Sequence, residues 1–284
     1  MFVIIGFVVV LVSVIVGFII ARGNLITLIQ PAEFLIIGGA AIGSLLVASP
    51  LPLIKKIMKA ITNSFSSHGN IKQDYMQMLK AFSDLFLIAQ REGLLAIEKH
   101  IEAPDKSEIL KKAEKFIHDD YRKSFFCDTM KVMLAGSVPP HELESLMDAE
   151  IETYEKENRP VFESLGRVGD SLPGLGIVAA VLGIIVTMGS IDAGAAAVGK
   201  HVAAALVGTF LGVLLAYGFV NPLAANIAHS IEESVQDLQI IKSYILAYAK
   251  GNPPFVAAEI ARRSIFLDQR PTFTELETSL RSKK

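Results

Sequence analysis

Ser171–Ile191 reads SLPGLGIVAAVLGIIVTMGSI and Val202–Ala228 reads VAAALVGTFLGVLLAYGFVNPLAANIA; neither holds an Asp, Glu, Lys or Arg. A hydrocarbon core about 30 Å thick takes about 20 apolar helical residues to cross. Both stretches reach that length, and so do Phe2–Ala21 and Phe34–Ile54, which are equally free of charge. The spacing therefore predicts four membrane spans, over 2–21, 34–54, 171–191 and 202–222, with apolar residues continuing from the last span to Ala228. The expected fold class is all-α: a four-helix transmembrane protein with a large helical cytoplasmic domain.

Composition supports this. Apolar residues make up 51% of the chain and charged residues 20%, and the charges crowd into the segments between the apolar stretches. A cleaved secretory signal at the N-terminus is not expected. It needs a basic start, a short apolar core and a small-residue cleavage box, whereas Phe2 follows Met1 directly and Ala21 is followed by Arg22. Cys127 is the sole cysteine, which excludes a disulfide framework or a thiolate metal site. The histidines at 68, 100, 118, 141, 201 and 229 lack ligand spacing, and no phosphate loop, HExxH or paired CxxC occurs. Neither an enzyme, a cofactor nor a nucleic-acid partner is expected.

Lys55, Lys56 and Lys59 follow the second apolar stretch at once, while the loop Arg22–Pro31 holds one basic residue. The positive-inside rule puts residues 55–170 in the cytoplasm, and both termini with them. Four regions follow: a first hairpin 1–54, a cytoplasmic helical domain 55–170, a second hairpin 171–228 and a cytoplasmic helical tail 229–284. The insertion is long enough for its own core. Tyr75, Met78, Leu79, Phe82, Leu85, Phe86 and Ala89 form one apolar helical stripe. Pro104 breaks the chain, and Ile109 to Ile117 continue a second amphipathic stretch. Gly136 stops the next helix and Pro139–Pro140 starts another, His141–Glu157, whose many acids read as a solvated face. Ile231–Lys250 is a further helix, ended by Gly251 and Pro253–Pro254.

The spans divide by composition. Spans one and two are rich in Val, Ile, Leu and Phe, as lipid-facing helices are. Span four carries Ala204, Gly208, Gly212 and Ala216 at steps of four, and span three carries Gly176, Ala179, Ala180 and Gly183. Small residues let backbones approach closely in lipid. That serves simple bundle packing or an inner wall around another helix. An ionisable residue in the bilayer marks a proton relay, and spans three and four have none. Either the chain moves no protons or a partner supplies the carboxylate. Thr187, Ser190, Thr209 and Tyr217 are the remaining polar groups, and hydroxyls of this kind commonly satisfy local carbonyls. Pro173 and Pro222 stand at the cytoplasmic ends of the two spans, where each either ends a helix or hinges it.

Val168–Gly183 (VGDSLPGLGIVAAVLG) and Leu206–Ala224 (LVGTFLGVLLAYGFVNPLA) resemble the third and fourth spans of the flagellar stator protein A family. Leu146–Glu152 (LMDAEIE) and Arg270–Glu277 (RPTFTELE) match as well, and the likeness covers nearly the whole chain. The resemblance implies a proton-driven stator in the bacterial inner membrane, with five copies ringing two copies of a single-span partner, stator protein B. That partner supplies the membrane Asp and grips peptidoglycan. The rotor switch protein FliG is the implied cytoplasmic partner. Pro173 and Pro222 match the family's boundary prolines, tied to coupling proton flow to movement. Thr209 matches a residue near the partner's Asp, and Tyr217 joins the implied pathway lining. Ala180 stands where sodium-driven relatives carry Thr, which removes an oxygen a hard cation would use. On the rotor-facing side Glu98 matches the family's acidic contact, and Glu150 lies in a matching run. The family's basic contact falls on Gln90 here, with Arg91 beside it and about 100° further round the helix. The alternatives are an energy transducer of the ExbB/TolQ type, which usually has three spans, and a non-conducting membrane scaffold.

Overall fold

The computed structural model describes residues 2–66, 70–136, 138–189, 192 and 194–281, and among them the secondary structure is helical. The elements are α1 (Phe2–Ile20), α2 (Pro31–Ala48), α3 (Leu51–Ser64), α4 (Ile71–Glu92), α5 (Glu98–Glu102), α6 (Glu114–His118), α7 (Asp120–Ala135), α8 (Pro140–Met188), α9 (Ala195–Leu215), α10 (Asn221–Ala249), α11 (Pro254–Ser264) and α12 (Phe273–Arg281). A π turn, Ala216–Val220, joins α9 to α10. The chain forms two compact units, Met1–Ser67 with Glu157–Ile231, and His68–Lys156 with Glu232–Lys284.

Among the described residues, four helical runs are long and apolar enough to cross a bilayer: Phe2–Ile20, Leu25–Ala48, and runs within Pro140–Met188 and Ala195–Ala249. α1 has 19 residues and buries none of them. It spans roughly 28 Å at 1.5 Å per residue and is apolar all round, as a lipid-facing helix must be.

The boundaries differ from the sequence reading in three places. The run expected as one span over 34–54 is two helices. α2 starts at Pro31, a proline at the first helical position, and stops at Ser49, which is extended because Pro50 follows. Leu51–Ile54 belong to the amphipathic α3, which buries Ile57 and exposes Lys55, Lys56 and Lys59. The expected helix 141–157 and the third span are one helix of 49 residues, α8, which runs unbroken through Pro160, Gly166 and Gly169. The fourth span begins at Ala195, and the expected helix 231–250 is the second half of α10.

Two apolar clusters hold the first unit. Ile37 and Ala41 of α2 meet Leu172 and Ala179 of α8 and Leu211 of α9. Ile57 of α3 meets Val161 and Leu165 of α8 and Leu223, Ala224 and Ile227 of α10. Phe7 of α1 packs on Phe219, with ring centroids 5.0 Å apart.

The second unit is built on the predicted α4 stripe; all seven of its residues are buried. Phe82 stacks on Phe126 at 4.3 Å and Phe86 on Tyr244 at 5.4 Å, and such aromatic pairs add about 0.5–1.5 kcal/mol each beyond their burial. α4 opens on an Asn70 cap and ends at Gly93, whose φ of +89° suits glycine. Gly136 follows the end of α7, and Gly251 follows the end of α10, as expected. The acidic helix is more than a solvated face: it buries Leu143, Met147 and Ile151, and Lys242 binds Asp148 at 2.6 Å. A polar trio, with Tyr75 and Asp237 buried and Arg122 half-buried, ties the unit together. The Tyr75 hydroxyl donates to Asp237 at 2.6 Å, and Arg122 pairs with the other Asp237 oxygen at 2.5 Å. Burial and the Asp237 charge push the Tyr75 hydroxyl well above its ordinary range.

Candidate functional site

The small residues of the third and fourth spans meet as backbone on backbone. A Cβ added at Gly176 would lie 2.7 Å from the Gly208 carbonyl oxygen, and one at Gly212 would lie 2.5 Å from the Leu172 oxygen and 2.9 Å from the Gly176 Cα. At Gly183 it would meet the Ala205 Cβ at 2.8 Å. Any larger side chain would force α8 and α9 apart. This is the close approach that the glycine and alanine steps predict, and it leaves room for Cα–H···O contacts between the helices.

Ala180, 8% exposed, sits in this seam with its nitrogen beside Gly208. Thr209 lies across from Gly176 and is half-buried. Tyr217 is 64% exposed in the π turn; within one chain it is not gathered with Ala180 and Thr209. The Thr187 hydroxyl is fully buried and donates to the Gly183 carbonyl at 2.7 Å, which satisfies it locally. Ser190 lies outside the described residues, as do Ile191 and His68.

Against this seam lies a carboxylate that the apolar-run reading left in a loop. Because α2 starts at Pro31, Glu33 falls in its first turn, inside the membrane run Leu25–Ala48. It is 6% exposed, and its Oε2 has no hydrogen-bond partner. A Cβ at Gly208 would stand 2.6 Å from that Oε2, and one at Gly183 would stand 3.6 Å from Oε1. The glycines thus make the space that the carboxyl group fills. Pro31 followed by a helix-initiating acid at the third position was the available signal.

The two prolines have different backbones around them. Pro173 lies inside α8, which continues through it. Pro222 follows the π turn, where the Asn221 N–H donates to the Ala216 carbonyl, one residue beyond α spacing. The wider turn gives the proline ring room against the preceding carbonyls. In each case the residue four positions earlier is a glycine, Gly169 or Gly218. The Asn221 side chain crosses to α8, packing where a Gly169 side chain would be and donating to Asp170 Oδ1 at 2.9 Å. One polar bridge therefore joins the two proline-bearing segments.

Of the expected rotor-facing residues, Arg91 and Glu98 are exposed on either side of the Gly93 turn, at the end of α4 and the start of α5. Gln90 is exposed too. Glu150 is half-buried, and burial followed by the nearby Asp128 charge raises its pKa. Its surroundings are those of α7 rather than of the Gly93 turn.

Residues 4–93 match the family model described as the motility protein A N-terminal region, and residues 117–240 match the MotA/TolQ/ExbB proton channel family. Motility protein A of Salmonella typhimurium is 39% identical over 99% of this chain and 96% of its own length. The chain belongs to the motility protein A family. Two solved structures share its fold. The C. jejuni MotAB structure aligns with a TM-score of 0.78 at 22% identity, covering 95% of this chain and 98% of that one. The flagellar MotAB stator complex from Bacillus subtilis gives 0.75 at 23% identity, covering 93% and 94%. The N-terminal match separates this motility protein A member from the TolQ and ExbB branches, so the resemblance read from residues 168–183 and 206–224 identified the family correctly.

Proposed function

We propose that this chain is the larger stator subunit of a proton-driven flagellar motor. It sits in the bacterial inner membrane with both termini in the cytoplasm. Several copies, five by the family resemblance, present their α8–α9 seams inward around a single-span, peptidoglycan-anchored partner. The observation that carries the reading is the seam itself: two adjacent apolar spans packed through glycine, with no acid in either. Such a wall suits a proton carrier supplied by another chain. Ala180 and Thr209 line it, and Tyr217, exposed within one chain, faces the neighbouring subunit or the partner.

One charge moving through 100 mV releases about 2.3 kcal/mol. Neutralising the partner's Asp beside the seam removes a charge from the wall, and that shifts a two-state packing of the ring by a comparable amount. Pro173 and Pro222 lie where the spans leave the membrane, and their missing N–H bonds make those turns the softest points of long helices. Movement there drives the cytoplasmic unit against FliG, with Glu98 and Arg91 as exposed charges. Exposed pairs tune on-rate and specificity more than affinity, which suits contacts that must release.

The test is co-expression with the single-span partner in vesicles under an imposed potential. Proton flux that needs both chains, and is lost when the partner's Asp becomes Asn, is the expected outcome. A non-conducting scaffold gives no flux with or without the partner. In cells, Glu98→Lys with Arg91→Glu should abolish motility without reducing that flux; unimpaired swimming removes these residues from the rotor contact.

A further inference from the structure

We infer that Glu33 is a proton-binding site of this chain, lying on the outer half of the seam and loading protons toward the partner's carboxylate; this rests on the stator reading above. The geometry is specific. The residue is only 6% exposed, one carboxyl oxygen is unpartnered, and that oxygen points into the gap left by Gly208. A buried polar group without a partner is rarely left so by chance, and a carboxylate oxygen with free lone pairs is a proton acceptor.

Two opposing influences make the site exchangeable. The N-terminus of α2 favours a negative charge in its first turn, while apolar surroundings disfavour one. α1 has no titratable residue, α2 has only Glu33, and α8 has none from Ser171 to Met188. On α9 the charged or titratable residues are Lys200 and His201, and His201 shares the face of Ala205 and Gly208 by its spacing. The step is simple: a hydronium ion from the outer side gives its proton to Glu33 Oε2 and leaves as water. The carboxylic acid then passes that proton inward and returns to carboxylate.

The experiment uses the full complex with its partner in vesicles, carrying Glu33→Gln or Glu33→Asp. Infrared difference spectra between acidic and alkaline outer pH read the carbonyl stretch of protonated carboxylic acids, and a pH dye reads flux. In Glu33→Gln one such band should vanish, with flux falling about tenfold or more at alkaline outer pH, where protons are scarce. Glu33→Asp should keep a band and restore part of the flux. An unchanged set of bands in Glu33→Gln overturns the proton site, and a missing band with an unchanged flux profile overturns its role in loading. If the wild-type complex conducts nothing, the stator reading fails, while the infrared result still decides whether Glu33 titrates.

Discussion

Replacing Gly212 by Ala tests whether the seam is built on direct backbone packing. The new Cβ would stand 2.5 Å from the Leu172 carbonyl oxygen and 2.9 Å from the Gly176 Cα, where ordinary separations are about 3.5–4 Å. Neither obstacle is a flexible side chain, so α8 and α9 must separate by roughly 1 Å to restore that spacing. Overpacking of this kind costs about 1–3 kcal/mol, and breaking each Cα–H···O bond across the seam adds about 0.5–1 kcal/mol. The better helix propensity of alanine returns about 0.8–1 kcal/mol. The net destabilisation expected is about 1–3 kcal/mol. Denaturant titration of the full chain in lipid–detergent bicelles measures it, with Gly17→Ala as control, because no atom lies within 4 Å of that site. Gly208→Ala should fall between them, since its closest obstacle is the movable Glu33 carboxyl. Gly212→Ala as stable as Gly17→Ala would refute the reasoning.

Pro173→Ala with Pro222→Ala should return the backbone N–H donors that the prolines remove and abolish swimming while the complex still assembles; normal swimming removes the hinge role. Glu259 pairs with Arg262 at 2.6 Å and Arg263 at 2.8 Å, and the Arg262 hydrogen bond leads in lowering its pKa from 4.5 to about 2. A depressed carboxylate adds stability above its unfolded pKa that fades as pH falls toward the folded value. Thermal melts of the second unit's signal should therefore show falling stability between pH 4.5 and about 2, and Glu259→Gln should flatten that slope.

Much of the second unit was legible because its signals are local. The α4 stripe and the stop at Gly136 follow from side-chain period and backbone freedom within one or two turns. The small-residue steps of the fourth span likewise announced a close helix approach, since glycine at such spacing in an apolar run has few other uses. The merging of two expected helices into α8 was not legible, because helical glycines at 166 and 169 look like breaks until packing holds them. Nor was Glu150's partial burial, which depends on α7 folding beside it.

Four apolar runs and the family resemblance were readable from sequence alone, because apolar length and residue order need no partner to be read. Tertiary structure decided what the spans surround. Gly208 and Gly183 are distant in sequence from Glu33, and only the packing of α2 on α8 and α9 turns an acid at a loop's edge into a buried, unpartnered carboxyl. Burial is a property of neighbours, and neighbours are chosen when the helices assemble.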